Sequence, residues 1–107
     1  MEIGEIEPLE LKRRLDRGDQ LTVIDVREPG EIELAEFVGA VRIPMDEIPS
    51  RLAELNPNGE TVVVCHHGVR SMQVAMHLAQ MGFQHVLNLS GGIDAWSLTV
   101  DPATPRY

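Results

Sequence analysis

Thr61-Val62-Val63-Val64-Cys65-His66-His67-Gly68-Val69-Arg70-Ser71 passes from a β-branched run through a polar loop into helical spacing. The three valines predict a buried strand. Residues 69–81 predict a helix, because Arg70, Gln73, His77 and Gln80 recur at intervals of three and four on one stripe, with apolar residues over most of the remainder. The sole cysteine therefore ends a strand and faces a helix N-terminus. Unpaired amides and the positive end of the helix dipole favour negative charge at such a place, and the thiolate is the reactive form of cysteine. Gly68 lets the loop curl without a Cβ, and Arg70 adds a fixed charge suited to holding an oxyanion. A lone cysteine at a strand end is ordinarily a small buried hydrophobe. Two histidines, a glycine and an arginine are an unusually polar ending for a core strand, and they point to chemistry at Cys65.

Outward from this stretch, strands and helices alternate. Residues 3–6, 21–25, 40–43 and 85–89 read as further strands. Residues 8–17, 31–37, 47–55 and a short stretch through 93–96 read as helices, with Ile48, Leu52 and Leu55 facing inward. In the helix after the cysteine loop the methionines read as core filler and His77 as a solvent-facing residue. Alternation of this kind implies an α/β fold with a parallel sheet of about four or five strands and helices on both faces. Asp25 and Arg27 follow a strand end on the rim that would also carry Cys65, where open α/β sheets bind ligands. They serve either that site or a structural salt bridge.

Composition narrows the function classes. A chain of 107 residues with 43% hydrophobic and 24% charged residues predicts one globular domain spanning residues 1–107. Its net charge of −8 argues against a nucleic-acid partner, which needs Lys and Arg to neutralise phosphates. One cysteine cannot form an internal disulfide, and residues 1–5 carry neither a basic nor an apolar leader, so the expected location is the cytoplasm. The apolar runs are far shorter than the ~20 residues of a membrane span, so no membrane role is expected. Cys65, His66 and His67 lack the spaced second pair of a zinc site, and no metal is expected there. The two histidines either act on the thiolate or the substrate, or are loop residues facing solvent.

Four blocks, Asp25-Val26-Arg27-Glu28, Val41-Arg42-Ile43-Pro44, the Cys65 loop through Ser71, and Leu89-Ser90-Gly91-Gly92-Ile93-Asp94-Ala95-Trp96, together resemble a single-domain rhodanese. The resemblance implies a sulfurtransferase without a separate cofactor. Cys65 would carry sulfane sulfur as a persulfide, taken from thiosulfate or another small donor and passed to a thiophilic acceptor, cyanide in vitro or a protein or thiol in the cell. The amides of His66, His67, Gly68, Val69 and Arg70 would line an anion-binding bowl whose mouth the Arg70 and histidine side chains shape, with Ser71 in the same substrate-binding loop and Asp25 and Arg27 as a supporting rim. Residues 35–40 depart from the pattern, with Glu36 where many members have histidine and Val38 where they have proline. Residues 100–107 resemble the ends of rhodanese domains fused to enzymes that adenylate sulfur-carrier proteins, which hints at a protein acceptor. Two other readings are a non-catalytic rhodanese-type binding module and a phosphatase or arsenate reductase. Phosphatases of the related fold have one more residue between cysteine and arginine than the four that separate Cys65 from Arg70.

Overall fold

The valine run forms the middle of a five-stranded sheet. The computed structural model describes residues 3–107. In it, β4 (Glu60–Val64) lies between β2 (Thr22–Asp25) and β5 (His85–Leu89), with β3 (Val41–Arg42) and β1 (Ile3–Ile6) outermost, in the order β1-β5-β4-β2-β3. Each pairing is parallel. The α/β architecture and the strand count agree with the sequence reading.

The period of two along β4 divides the core. Val62 and Val64 face one layer with Leu11, Phe37, Ile93 and Trp96, whereas Val63 and Cys65 face the other with Val74, Ala75 and Leu78. Both faces are dry because α3 (Val69–Gln80) covers one, while α1 (Pro8–Asp16) and α4 (Gly92–Thr99) cover the other. A sheet covered on both sides explains why β4 is a continuous apolar run. Trp96 fills the second layer against Phe37, with ring centroids 4.7 Å apart. Among the described residues no helix is long and apolar enough to cross a membrane.

Three expectations are corrected. Residues 47–55 are not an α-helix but two 3₁₀ turns, Met45–Ser50 and Leu52–Glu54. Pro49 lies inside the first turn, where it lacks an N–H and its ring opposes an α-helical carbonyl, although Ile48 is still buried. The expected helix at 31–37 is α2 (Pro29–Leu34), which starts two residues earlier at a proline suited to the first helical position. Met76 in α3 and Met81 just after it are about half exposed and so are not core filler, while His77 is partly buried rather than freely solvated. In the divergent segment Glu36 pairs with Arg42 at 2.7 Å, and Val38 faces solvent.

The start of α4 sets the shape of the cysteine loop. Ile93 N–H donates to the Cys65 carbonyl at 2.8 Å, and Asp94 N–H to the His66 carbonyl at 3.1 Å. Free amides at a helix N-terminus thus take the loop's carbonyls, which leaves other loop N–H groups for the inside of the turn. Such contact requires a backbone without a side chain at Gly92. Its φ is +62°, and a Cβ there would stand 2.5 Å from the Cys65 carbonyl oxygen. Gly92→Ala combines left-handed strain with a backbone clash and is expected to cost about 2–4 kcal/mol. Urea unfolding checks this, and a loss below about 0.5 kcal/mol would show that the contact is easily relaxed.

Candidate active site

Cys65 immediately follows β4, and its side chain is buried. Gly68 takes φ +103° at the N-cap of α3, so the chain reverses over the sulfur and Gly68 N–H donates to Cys65 Sγ at 3.0 Å. The sulfur is thereby held at a turn whose amide is already aimed at it.

A side chain the sequence reading passed over supports this turn from below. Asn88 on β5 is buried, donates to the Gly68 carbonyl at 3.1 Å, and accepts from Ser71 Oγ at 2.5 Å. Its amide also reaches Glu5 Oε2 at 3.1 Å. Ser71 therefore faces the sheet and anchors the first turn of α3, and does not line the mouth. Its alternation with Leu87 and Leu89 marks Asn88 as a polar residue on an apolar strand, the one sequence signal that could have singled it out.

Arg70 faces Glu31 across the mouth. Its two terminal nitrogens donate to the two carboxylate oxygens at 2.5 and 2.7 Å. Those hydrogen bonds hold the Glu31 carboxyl at a pKa of about 2, against the opposing effect of burial. Glu31 is therefore charged throughout the neutral range. The same bonds to Glu31 lead in raising the Arg70 pKa. Glu31 Oε1 also accepts Glu28 N–H at 3.2 Å, the reach-back bond of a capped helix start.

Tyr107, at the far end of the sequence, completes the mouth. Its hydroxyl donates to Glu31 Oε2 at 2.9 Å and accepts from Arg27 Nη1 at 3.1 Å. Burial is the largest influence raising its phenol pKa, which keeps it protonated and able to donate. The ring stacks on His66 at 3.9 Å between centroids, and His66 stacks on His67 at the same separation. Burial, followed by the neighbouring His67, lowers the His66 pKa and favours the neutral ring. His67 is exposed and lies 4.0 Å from Asp94, which Arg106 holds at 2.9 Å. The tail is thus fastened on two sides of the loop.

Asp25 and Arg27 sit near the mouth but form no open rim. Both are fully buried, and Arg27 Nε and Nη2 fork onto the Asp25 carboxylate, the shorter contact being 2.6 Å. Arg27 reaches the mouth only through Tyr107 and, at 3.3 Å, the Glu31 carbonyl. Val69 is 70% exposed beside the loop. The structure therefore gathers Cys65, His66, His67, Gly68, Val69 and Arg70 at the C-terminal end of the central strand, and adds Glu31, Asn88 and Tyr107.

The Rhodanese-like domain family matches residues 7–99. The chain belongs to that family. A rhodanese-like/PpiC domain-containing chloroplastic protein 12 of Arabidopsis thaliana is 46% identical, over 83% of this chain but only 31% of its own length. A sulfurtransferase of Allochromatium vinosum is 37% identical over 89% of both chains. Among solved structures, a rhodanese-like domain protein from Staphylococcus aureus superposes with a TM-score of 0.84 at 33% identity, covering 97% of this chain and 98% of that one. Relatives of this kind support a role in rhodanese-type sulfur transfer.

Breaking the buried pair tests its structural weight. Arg27→Met leaves the Asp25 carboxylate without its guanidinium and is expected to destabilise the fold by about 3–5 kcal/mol, whereas Asp25→Leu/Arg27→Met recovers most of that loss. Urea titrations of both variants measure the difference. Equal losses would mean that the pair contributes net stability itself and does not merely neutralise a buried charge.

Proposed function

We propose that this rhodanese domain is a sulfurtransferase that carries sulfane sulfur as a persulfide on Cys65. The observation that carries the reading is the Gly68 N–H aimed at Cys65 Sγ at 3.0 Å, at the start of a helix whose second residue is Arg70. Donors arranged in this way stabilise charge on a sulfur and on a departing group without having to reorganise.

The proposed route has two displacements. The Cys65 thiolate attacks the outer sulfur of thiosulfate or another sulfane donor. In thiosulfate the bond between the two sulfurs breaks, sulfite leaves with the electron pair, and Cys65 holds a persulfide. A nucleophilic acceptor then attacks the outer persulfide sulfur, the Cys65 S–S bond breaks, and the thiolate returns. Cyanide would serve as acceptor in vitro and a thiol or protein in the cell. No cofactor takes part in either step, because the cysteine itself holds the sulfur, and the reading places the reaction in the cytoplasm.

Intact mass after incubation with thiosulfate or glutathione persulfide tests the proposal. Wild type is expected to gain one sulfur that cyanide removes as thiocyanate, and Cys65→Ser to gain none. A folded, reduced wild type that gains no sulfur from either donor would favour a binding module.

Arg70→Ala provides a separate check on the mouth. Removing the guanidinium is expected to lower kcat/KM for thiosulfate about 10²-fold. Its partly exposed pair with Glu31 should contribute only about 1 kcal/mol to stability. A fall in melting temperature large enough to account for the lost activity would count against an oxyanion-binding role.

A further inference from the structure

Every cation at the mouth already has an anionic partner. Arg70 is forked by Glu31, Arg27 by Asp25, and Arg106 by Asp94. Of the two loop histidines, His67 lies 4.0 Å from Asp94 and His66 is shifted toward its neutral form. Glu31 is the one of these anions held from three separate parts of the chain. It receives two bonds from Arg70, one from Tyr107 and one from the Glu28 backbone, and Arg27 holds its carbonyl. An incoming anion must therefore displace or share a carboxylate that four donors fix in place, on a chain whose net charge is −8.

We propose that Glu31, positioned by Tyr107, is a specificity-determining residue that sets this site against dianionic donors such as thiosulfate and in favour of organic persulfides, which carry at most one charge at the reacting end. The inference rests on the reading of Cys65 as the sulfur carrier. Repulsion between a fixed carboxylate and a second charge on the donor grows in proportion to that charge, and a partly buried mouth screens it poorly. The shape of the surroundings points the same way. Tyr107, His66 and His67 present a stack of rings, and on the other side His67, Val69 and Met72 line a shallow groove. Carbon-rich walls of this kind suit the carbon skeleton of an organic thiol.

The favoured step balances without a further reagent. The Cys65 thiolate attacks the outer sulfur of R–S–SH, the sulfur–sulfur bond breaks, R–S⁻ leaves with the electron pair, and Cys65–S–SH remains. Such a step brings a neutral reacting end past Glu31 and moves the charge already on the Cys65 thiolate onto the departing R–S⁻.

Single-turnover persulfidation of Cys65, followed by mass, tests this with thiosulfate and glutathione persulfide as the two probes. Wild type is expected to favour the persulfide in kcat/KM by ~10-fold or more. Glu31→Gln retains the helix-capping acceptor and the hydrogen-bonding shape but removes the charge. It should raise the ratio of thiosulfate to persulfide kcat/KM by ~10-fold, chiefly through KM for thiosulfate. Tyr107→Phe keeps the stack on His66 and releases only the hydroxyl, and should move the same ratio in the same direction by about 3-fold. It decides the matter if Glu31→Gln does not fold. A wild type that prefers thiosulfate, or a ratio unmoved in both folded variants, overturns the role of Glu31 while the sulfur-carrier reading stands. Absence of any sulfur on wild-type Cys65 from either donor overturns both.

Discussion

The loop around Cys65 depends on two hydrogen bonds made from outside it. At the start of α4 the amides of Ile93 and Asp94 hold the carbonyls of Cys65 and His66. A short peptide loop exposes as many acceptors as donors, and an anion cannot be held by a surface that presents both. Binding the carbonyls from behind resolves the conflict, since each peptide plane that points its oxygen toward α4 points its N–H elsewhere. The glycines of the 89–96 block are thus part of the cysteine site although they never touch the sulfur. Gly92 is where two backbones meet too closely for a side chain.

A second layer of constraint is ionic. Asp25 and Arg27 are fully buried where β2 ends beside β4, and Val26 N–H bonds the Val64 carbonyl at 3.0 Å. Burying a guanidinium is tolerable only when a carboxylate and further acceptors meet its donors, and here Asp25, Tyr107 and the Glu31 carbonyl do so. One consequence is that Tyr107 is oriented from both sides, accepting from a cation beneath it and donating to a carboxylate above. The buried pair reaches the mouth through this phenol and has no surface of its own there.

Much of this was legible in the sequence. Period-two alternation, the two-sided valine run and the glycine after the histidines are local signals, and they gave the parallel sheet, the loop and the helix that follows it. Failures occurred where a local pattern competes with backbone chemistry or with burial that only the fold decides. Pro49 breaks what Ile48, Leu52 and Leu55 otherwise suggest is a helix, and Met76 and Met81, in and just after α3, are left about half exposed. At the site, the missing members are those joined across long stretches of chain. Glu31 meets Arg70 39 residues later and Tyr107 76 residues later. In sequence Glu31 is one acidic residue among many, and no spacing rule distinguishes it. Asn88 was more accessible, as a polar residue in an apolar strand.

These long-range contacts change the electrostatic meaning of the loop. Read locally, Gly68-Val69-Arg70 at a helix start is an anion trap with a positive guard. With Glu31 and Tyr107 in place, the guard is shared with a carboxylate, and the Gly68 amide at the sulfur carries more of the attraction for negative charge. Amide dipoles act over a short range and stabilise charge that develops on the sulfur, whereas a free guanidinium would also draw in ions that bring their charge with them. The same cysteine loop can therefore serve donors of different charge, depending on a carboxylate and a phenol supplied by distant parts of the chain. Within such a fold, differences in donor choice should reside less in the loop than in the residues that face Arg70.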